Sequence, residues 1–251
     1  MKKVIFSLSA VLFILPVVMT AVISLLGESN TITLQNYADL LFNCFIFYPM
    51  FWNSVLYAVV ITAVQLFVII PSAFWFTQTK FRGKGILFFF YIVLMMMPLQ
   101  VTILPNYIGL RDMGFINTRW GIILPAIFSP FGVVVMRQYM HGINNSVIEA
   151  MRIETNSIVR IIVSAVIPQM KICIFAVILF VFAESWNMLE QPLLFLNDDK
   201  LRTLPTLIGN AEKYAGNILF PAAVIFIIPI LLLYNFFSDS LEKGLTFGVK
   251  S

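Results

Sequence analysis

The feature that most constrains this chain is the recurrence of apolar runs about as long as a bilayer crossing, at residues 4–26, 53–76, 86–110, 120–139, 172–196 and 217–237. A hydrocarbon core of ~30 Å takes about 20 helical residues to cross. Within it every backbone N–H and C=O must be satisfied by the chain itself, so continuous runs of this length are expected to be helices. The fold expected is therefore all-α, a polytopic membrane protein with six transmembrane helices. With 60% hydrophobic and 11% charged residues among 251, no soluble domain of ordinary size is left once the spans are removed.

Charge sets the expected orientation. Lys2, Lys3, Lys80, Arg82, Lys84, Arg137, Arg152, Arg160, Lys171, Lys243 and Lys250 fall in segments assigned to the cytosol. Arg111, Arg119, Lys200, Arg202 and Lys213 fall outside. The bias obeys the positive-inside rule with both termini cytoplasmic. The net charge of +4 is spread over loops and forms no basic stripe with aromatic neighbours, so nucleic acid is not an expected partner. Cys44 and Cys173 fall on opposite sides and should not pair, and no metal-ligand spacing is present.

Lys2 and Lys3 before the first run have the look of a signal peptide, but the run exceeds a usual signal core, and an uncleaved first span is expected. Residues 28–41, polar and beginning at Glu28, and the aromatic residues 42–52 belong outside, the aromatics at headgroup level. The loop TKFRGKG belongs inside. Pro98 and Pro105 interrupt the third run, which fits either a lined pathway or ordinary bundle packing.

One stretch breaks the apolar pattern. In NSVIEAMRIETNSIVRIIVSAVIP, residues 145–168, Arg152, Glu154, Asn156, Ser157 and Arg160 crowd together, and the segment should lie in water against the membrane body. Ser146 and Glu149 have the spacing of a capping box, which predicts a helix from about Val147. Thr155, Asn156 and Ser157 compete for backbone hydrogen bonds, so that helix should end there and another begin toward Val159. An amphipathic surface helix with no partner would also satisfy this pattern.

The stretch resembles the EAA loop of type I ABC importer permeases, Glu-Ala-Ala, three residues, Gly, nine residues, Ile-x-Leu-Pro. Glu149 and Ala150 match, Met151 stands for the second Ala, Thr155 for the Gly, Ala165 and Ile167 for the Ile and Leu, and Pro168 for the Pro, without a gap. The resemblance implies the permease fold of that family and an ATPase-coupling role for Glu149, Ala150, Met151, Arg152, Glu154 and Thr155. It implies as partners cytosolic ATP-binding subunits, a second homologous permease and an external substrate-binding protein, in a bacterial plasma (inner) membrane. ATP and Mg would then be handled by partner chains, because this chain has no GxxxxGK[ST] loop and is expected to be non-catalytic. The division expected is a first helix and external segment over 1–51, a core over 52–238 with the coupling loop at 141–171, and a tail over 239–251.

In the fifth run Glu184, Asn187 and Gln191 are spaced to share one helical face, with Glu190 about a quarter turn away. Carboxylates at bilayer depth normally face a bundle interior or a wet cavity. These four are translocation-path candidates; an interhelical polar clamp, or for Glu190 an interfacial position, is the alternative. Ser185-Trp186-Asn187, Pro192-Leu193, Thr203-Leu204-Pro205 and the tail Gly244-Leu245-Thr246 with Gly248, Val249 and Lys250 are similar to the carbohydrate branch of the same family. The resemblance implies import of a carbohydrate. An ion-coupled secondary transporter using Glu184 or Glu190, or an importer of a non-sugar solute, are the competing readings. A membrane enzyme is weaker, since His141, the single histidine, has no HExxH, GxSxG or paired-carboxylate companions.

Overall fold

The computed structural model describes the backbone of residues 2–27, 31–210, 213–214 and 216–248, and the side chains of these except 2–10 and 239–248. Glu28, Val249 and Lys250 lie outside the described residues, and so do the side chains of Lys2, Lys3 and Gly244 to Gly248. In chain order the helices are α1 (Lys2–Ser24), α2 (Gln35–Ala38), α3 (Phe47–Gln78), α4 (Lys84–Met95), α5 (Leu99–Asp112), α6 (Arg119–Ala126) and α7 (Pro130–Met140). There follow α8 (Asn145–Glu154), α9 (Ile158–Ile161), α10 (Ile167–Gln169), α11 (Lys171–Trp186), α12 (Glu190–Phe195), α13 (Leu204–Ile208) and α14 (Gly216–Gly248). Among the described residues there is no strand, only a bridge between Leu26 and Ile32.

The six apolar runs take three forms. Phe47–Gln78, Arg119–Met140 and Gly216–Ser238 are each long and apolar enough to cross, and α1 supplies a further apolar helix. The third and fifth runs are not single straight helices: α4 and α5 meet at 99°, and the fifth run stops at Trp186 and resumes as α12. The loop segment Ile158–Gln169, which precedes the fifth run, meets α11 at 88°. The first bend has a local cause in Pro98, which forces Met97 out of the helical region and itself sits at φ −67° and ψ 147°. Pro105 is accommodated within α5. The aromatics Phe47, Tyr48, Phe51 and Trp52 belong to the opening turns of α3, not to a separate surface segment. At 1.5 Å per residue that helix is about 48 Å long, so its ends overrun the hydrocarbon and bring these rings to the headgroups.

The chain packs as two units. One joins residues 1–54 to 188–232, and the other joins 55–187 to 233–251. The first is cored by Leu40, Phe47, Met50, Leu204, Leu207 and Ile218. Two of its buried polar side chains join its two segments: Asn53 Nδ2 donates to Lys200 O at 2.6 Å, and Leu204 N donates to Ser54 Oγ at 2.7 Å.

In the second unit α3, α7 and α11 pack through Ile69, Val133, Met136, Cys173 and Val177, all buried. Ile69 lies so close to Gly132 that a Cβ there would clash with its side chain. The gap between α6 and α7 follows from Pro130, whose missing N–H would otherwise serve the carbonyl four residues earlier, on Ala126. Gln65 Nε2 donates to that carbonyl at 2.5 Å, so an amide from α3 replaces the absent donor.

Candidate functional site

The polar stretch after α7 builds a helix, an extended link and a second helix, as its residues predict. The N-cap differs from the capping-box expectation. It is Asn144, whose Oδ1 accepts from Ser146 N at 3.0 Å and from Ser146 Oγ at 2.7 Å, and α8 starts at Asn145. An Asx side chain two residues earlier outcompetes the serine for the free amides, so Ser146 becomes a donor and Glu149 is released from capping. At the far end Thr155 is extended, its Oγ1 accepts from Ser157 N at 3.1 Å, and Ser157 Oγ accepts from Arg160 N to open α9.

The two faces of α8 differ in purpose. Ile148 is 1% exposed, and Met151, Arg152 and Thr155 follow it at helical spacing on the inner side. Arg152 Nη2 donates to Gln78 O at 3.3 Å, and Gln78 Nε2 donates to Asn145 Oδ1 at 3.0 Å, which fastens α8 to the end of α3. Asn144 N donates to Gln169 Oε1 at 3.2 Å, which ties it to α10. Ser146, Glu149, Ala150 and Ile153 share the opposite face; all four are exposed, Ile153 at 89%. Met151 and Thr155, which depart from the EAA pattern, are half-buried, whereas Glu149 and Ala150, which keep it, are open; Glu154 is exposed as well.

Ile153 and Ile148 were not among the sequence candidates. Ile153 could have been found as the one bulky apolar residue four positions after Glu149 on an otherwise polar face. The remainder of the loop, Ile158–Gln169, contains a π turn at Ile162–Val166 and buries Ile161, Ile162, Ala165 and Val166. These four apolar residues, with Ile148, pack this stretch against protein, while most of its other residues are exposed.

The fifth-span candidates are not carried on one helix. α11 stops at Trp186, Asn187 to Leu189 are non-helical, and α12 begins at Glu190, so the common face expected for Glu184, Asn187 and Gln191 is broken. Asn187 Nδ2 turns back to Ala183 O at 2.7 Å and closes the end of α11. Glu184, Asn187 and Glu190 are exposed; Gln191 Oε1 is buried without a hydrogen-bond partner.

The neighbouring motif residues are structural. Ser185 and Trp186 are buried, the latter stacked on Phe182 at 5.8 Å. Thr203 Oγ1 donates to Met188 O at 2.9 Å, while Leu204 is fully buried. Among the described residues no group of three or more His, Cys, Asp or Glu side chains could hold a metal ion.

Residues 69–247 match the family model for the binding-protein-dependent transport system inner membrane component, and the chain belongs to that family. Its members are non-catalytic membrane permeases of ABC importers. The chain is 28% identical to the arabinooligosaccharides transport system permease protein AraQ of Halalkalibacterium halodurans, over 90% of this chain and 82% of the relative. It is also 28% identical to the sn-glycerol-3-phosphate transport system permease protein UgpE of Brucella abortus, over 78% of this chain and 71% of that one. A crystal structure of a bacterial ABC transporter involved in the import of the acidic polysaccharide alginate has a chain of the same fold, with TM-score 0.83 and 20% identity, covering 95% of this chain and 94% of its own.

Proposed function

We propose that this permease carries a carbohydrate inward and that α8 is the element through which ATP-binding subunits move it. The observation that carries the coupling reading is the open face of Ser146, Glu149, Ala150 and Ile153 on a helix whose other side is fastened to α3 and α10. A helix presenting a carboxylate beside a bare isoleucine offers a partner one charged and one apolar anchor. Its attachments to two other helices would pass a push on α8 into the spans, shifting the balance between inward- and outward-open states. The orientation that serves this reading has both termini and the 141–171 loop in the cytosol, supported by the charge bias. A second permease and an external binding protein complete the assembly.

The solute class is supported by the arabinooligosaccharide relative and by chemistry. The exposed carboxylates of Glu184 and Glu190 can each accept hydrogen bonds from hydroxyls. Family membership gives no support to an ion-coupled transporter.

The test is Glu149→Lys. ATP-driven uptake of labelled oligosaccharides should fall at least about tenfold, as expected for reversing a charge at an interface, with the amount of inserted chain unchanged because Glu149 is exposed. Undiminished uptake would overturn the coupling assignment.

A further inference from the structure

A second surface of the 55–187 segment is electropositive, and among the described residues none of its cations is in an ion pair. Lys84 Nζ donates to Thr77 O at 3.2 Å and Thr79 O at 3.0 Å, closing the end of α3. Arg137 lies 3.7 Å above the centre of the Phe88 ring and donates from Nε to Phe76 O at 3.4 Å. These carbonyls and the ring bind the cations without cancelling their charge. His141 is drawn below its ordinary pKa by desolvation and then by the charges of Arg137 and Lys84, so the three basic groups sense one another. Lys80 and Arg82 are exposed on the turn just before α4. The three ion pairs found among the described residues, Arg111–Asp112, Arg202–Asp199 and Lys213–Asp199, all lie elsewhere.

Beside this cluster lies a groove of about 560 Å³ lined by Pro71, Ser72, Trp75, Phe76, Phe81, Leu87 and Tyr91, mostly apolar. Phe76 belongs to both features: it lines the groove, and its carbonyl holds Arg137. Phe81 also lines the groove and stands between Lys80 and Arg82 in sequence. An anion with an apolar chain would match both features.

We infer that the groove and its basic rim hold one anionic phospholipid, with the acyl chain along Trp75, Phe81 and Tyr91 and the phosphate toward Lys80, Arg82 and Lys84. Basic clusters next to spans attract acidic headgroups by roughly fivefold in affinity for each Lys or Arg. The site adjoins the coupling loop, since Gln78, two residues before Lys80, is bonded to both Asn145 and Arg152. A lipid held here would steady the junction through which α8 is fastened. The assignment to the cytoplasmic leaflet rests on the orientation proposed above.

Trp75 is half-exposed and supplies the readout, because brominated acyl chains quench indole fluorescence on contact. The full-length chain would be placed in nanodiscs of phosphatidylcholine containing increasing dibromostearoyl phosphatidylglycerol, or dibromostearoyl phosphatidylcholine. The Trp75 component is the difference from a Trp75→Phe variant. Half-maximal quenching should need about a hundredfold less of the brominated anionic lipid, and K80Q/R82Q should reduce that gap to about fivefold. Both residues are exposed, so the variant should fold normally. Equal quenching by the two lipids, or a gap unchanged in K80Q/R82Q, would overturn the proposal and leave the cations to an acidic segment of a partner chain. Nanodiscs present both leaflets, so this result does not depend on orientation. Labelling of a Lys80→Cys variant from outside intact cells would instead overturn the cytosolic placement without touching the lipid preference.

Discussion

Around α8, Ile148 and the hydrogen bonds of Arg152, Gln78 and Asn144 do the fastening while Glu149, Ala150 and Ile153 stay open, whereas around the end of α11 the motif residues Ser185, Trp186, Thr203 and Leu204 are buried. Both regions interrupt an apolar chain and both carry family-like sequence. In the first, Glu149, Ala150 and Ile153 touch nothing that the unit needs for its own packing. In the second, Trp186 is fully enclosed in its unit, and Thr203 and Leu204 are fully enclosed in theirs. A motif kept on an open face is available to a partner; a motif kept in a core is there to hold a shape.

Changes that test this contrast can be ordered by their expected effect on stability. Trp186→Ala should cost the most, about 3–5 kcal/mol for an enclosed aromatic, read as loss of monodisperse protein on heating in detergent. A stable variant would show that the buried motif does no structural work. Ser54→Ala removes the acceptor for Leu204 N in a dry setting and should cost about 1–3 kcal/mol. Its signature is a lowered melting temperature with uptake per folded molecule preserved.

Thr155→Gly should cost less than about 1 kcal/mol, through added freedom of the unfolded chain and one weak hydrogen bond. Thr155 has φ −150° and ψ 142°, extended geometry open to any residue, so restoring the glycine of the EAA pattern should gain nothing here. A clear stabilisation would contradict the geometry described. Ile153→Asp should change stability by no more than about 0.5 kcal/mol, yet reduce ATP-driven uptake by about tenfold or more if Ile153 is an anchor. Loss of both together would move Ile153 into the packing class.

The contrast also explains what could be read from residues alone. The all-α membrane fold was legible because long apolar runs leave few alternatives, and the helix–link–helix of residues 145–168 was legible because Thr155, Asn156 and Ser157 are poor helix formers in sequence. The cap was misplaced because Asn144 and Ser146 both suit the role and only their relative geometry chooses between them. Helical spacing placed Glu184, Asn187 and Gln191 on one face, but it assumes an unbroken helix, and α11 ends at Trp186. The break follows no proline; Pro192 comes only after α12 has begun, so hydropathy gave no warning of it. The 99° bend, by contrast, had Pro98 to announce it. The donation from Gln65 to Ala126 joins residues 61 apart and is visible only once α3 and α6 are packed.

The central claim is that the open face of α8 meets an ATP-binding subunit, and photo-crosslinking tests it most directly. A benzophenone amino acid would be placed at Ile153 in one variant and at Ile148 in another, each expressed with its native partners and irradiated in intact membranes. The account predicts an adduct between position 153 and an ATP-binding chain, and none of comparable yield from position 148. An adduct from 148 and not from 153, or no ATP-binding chain captured from 153, would contradict it.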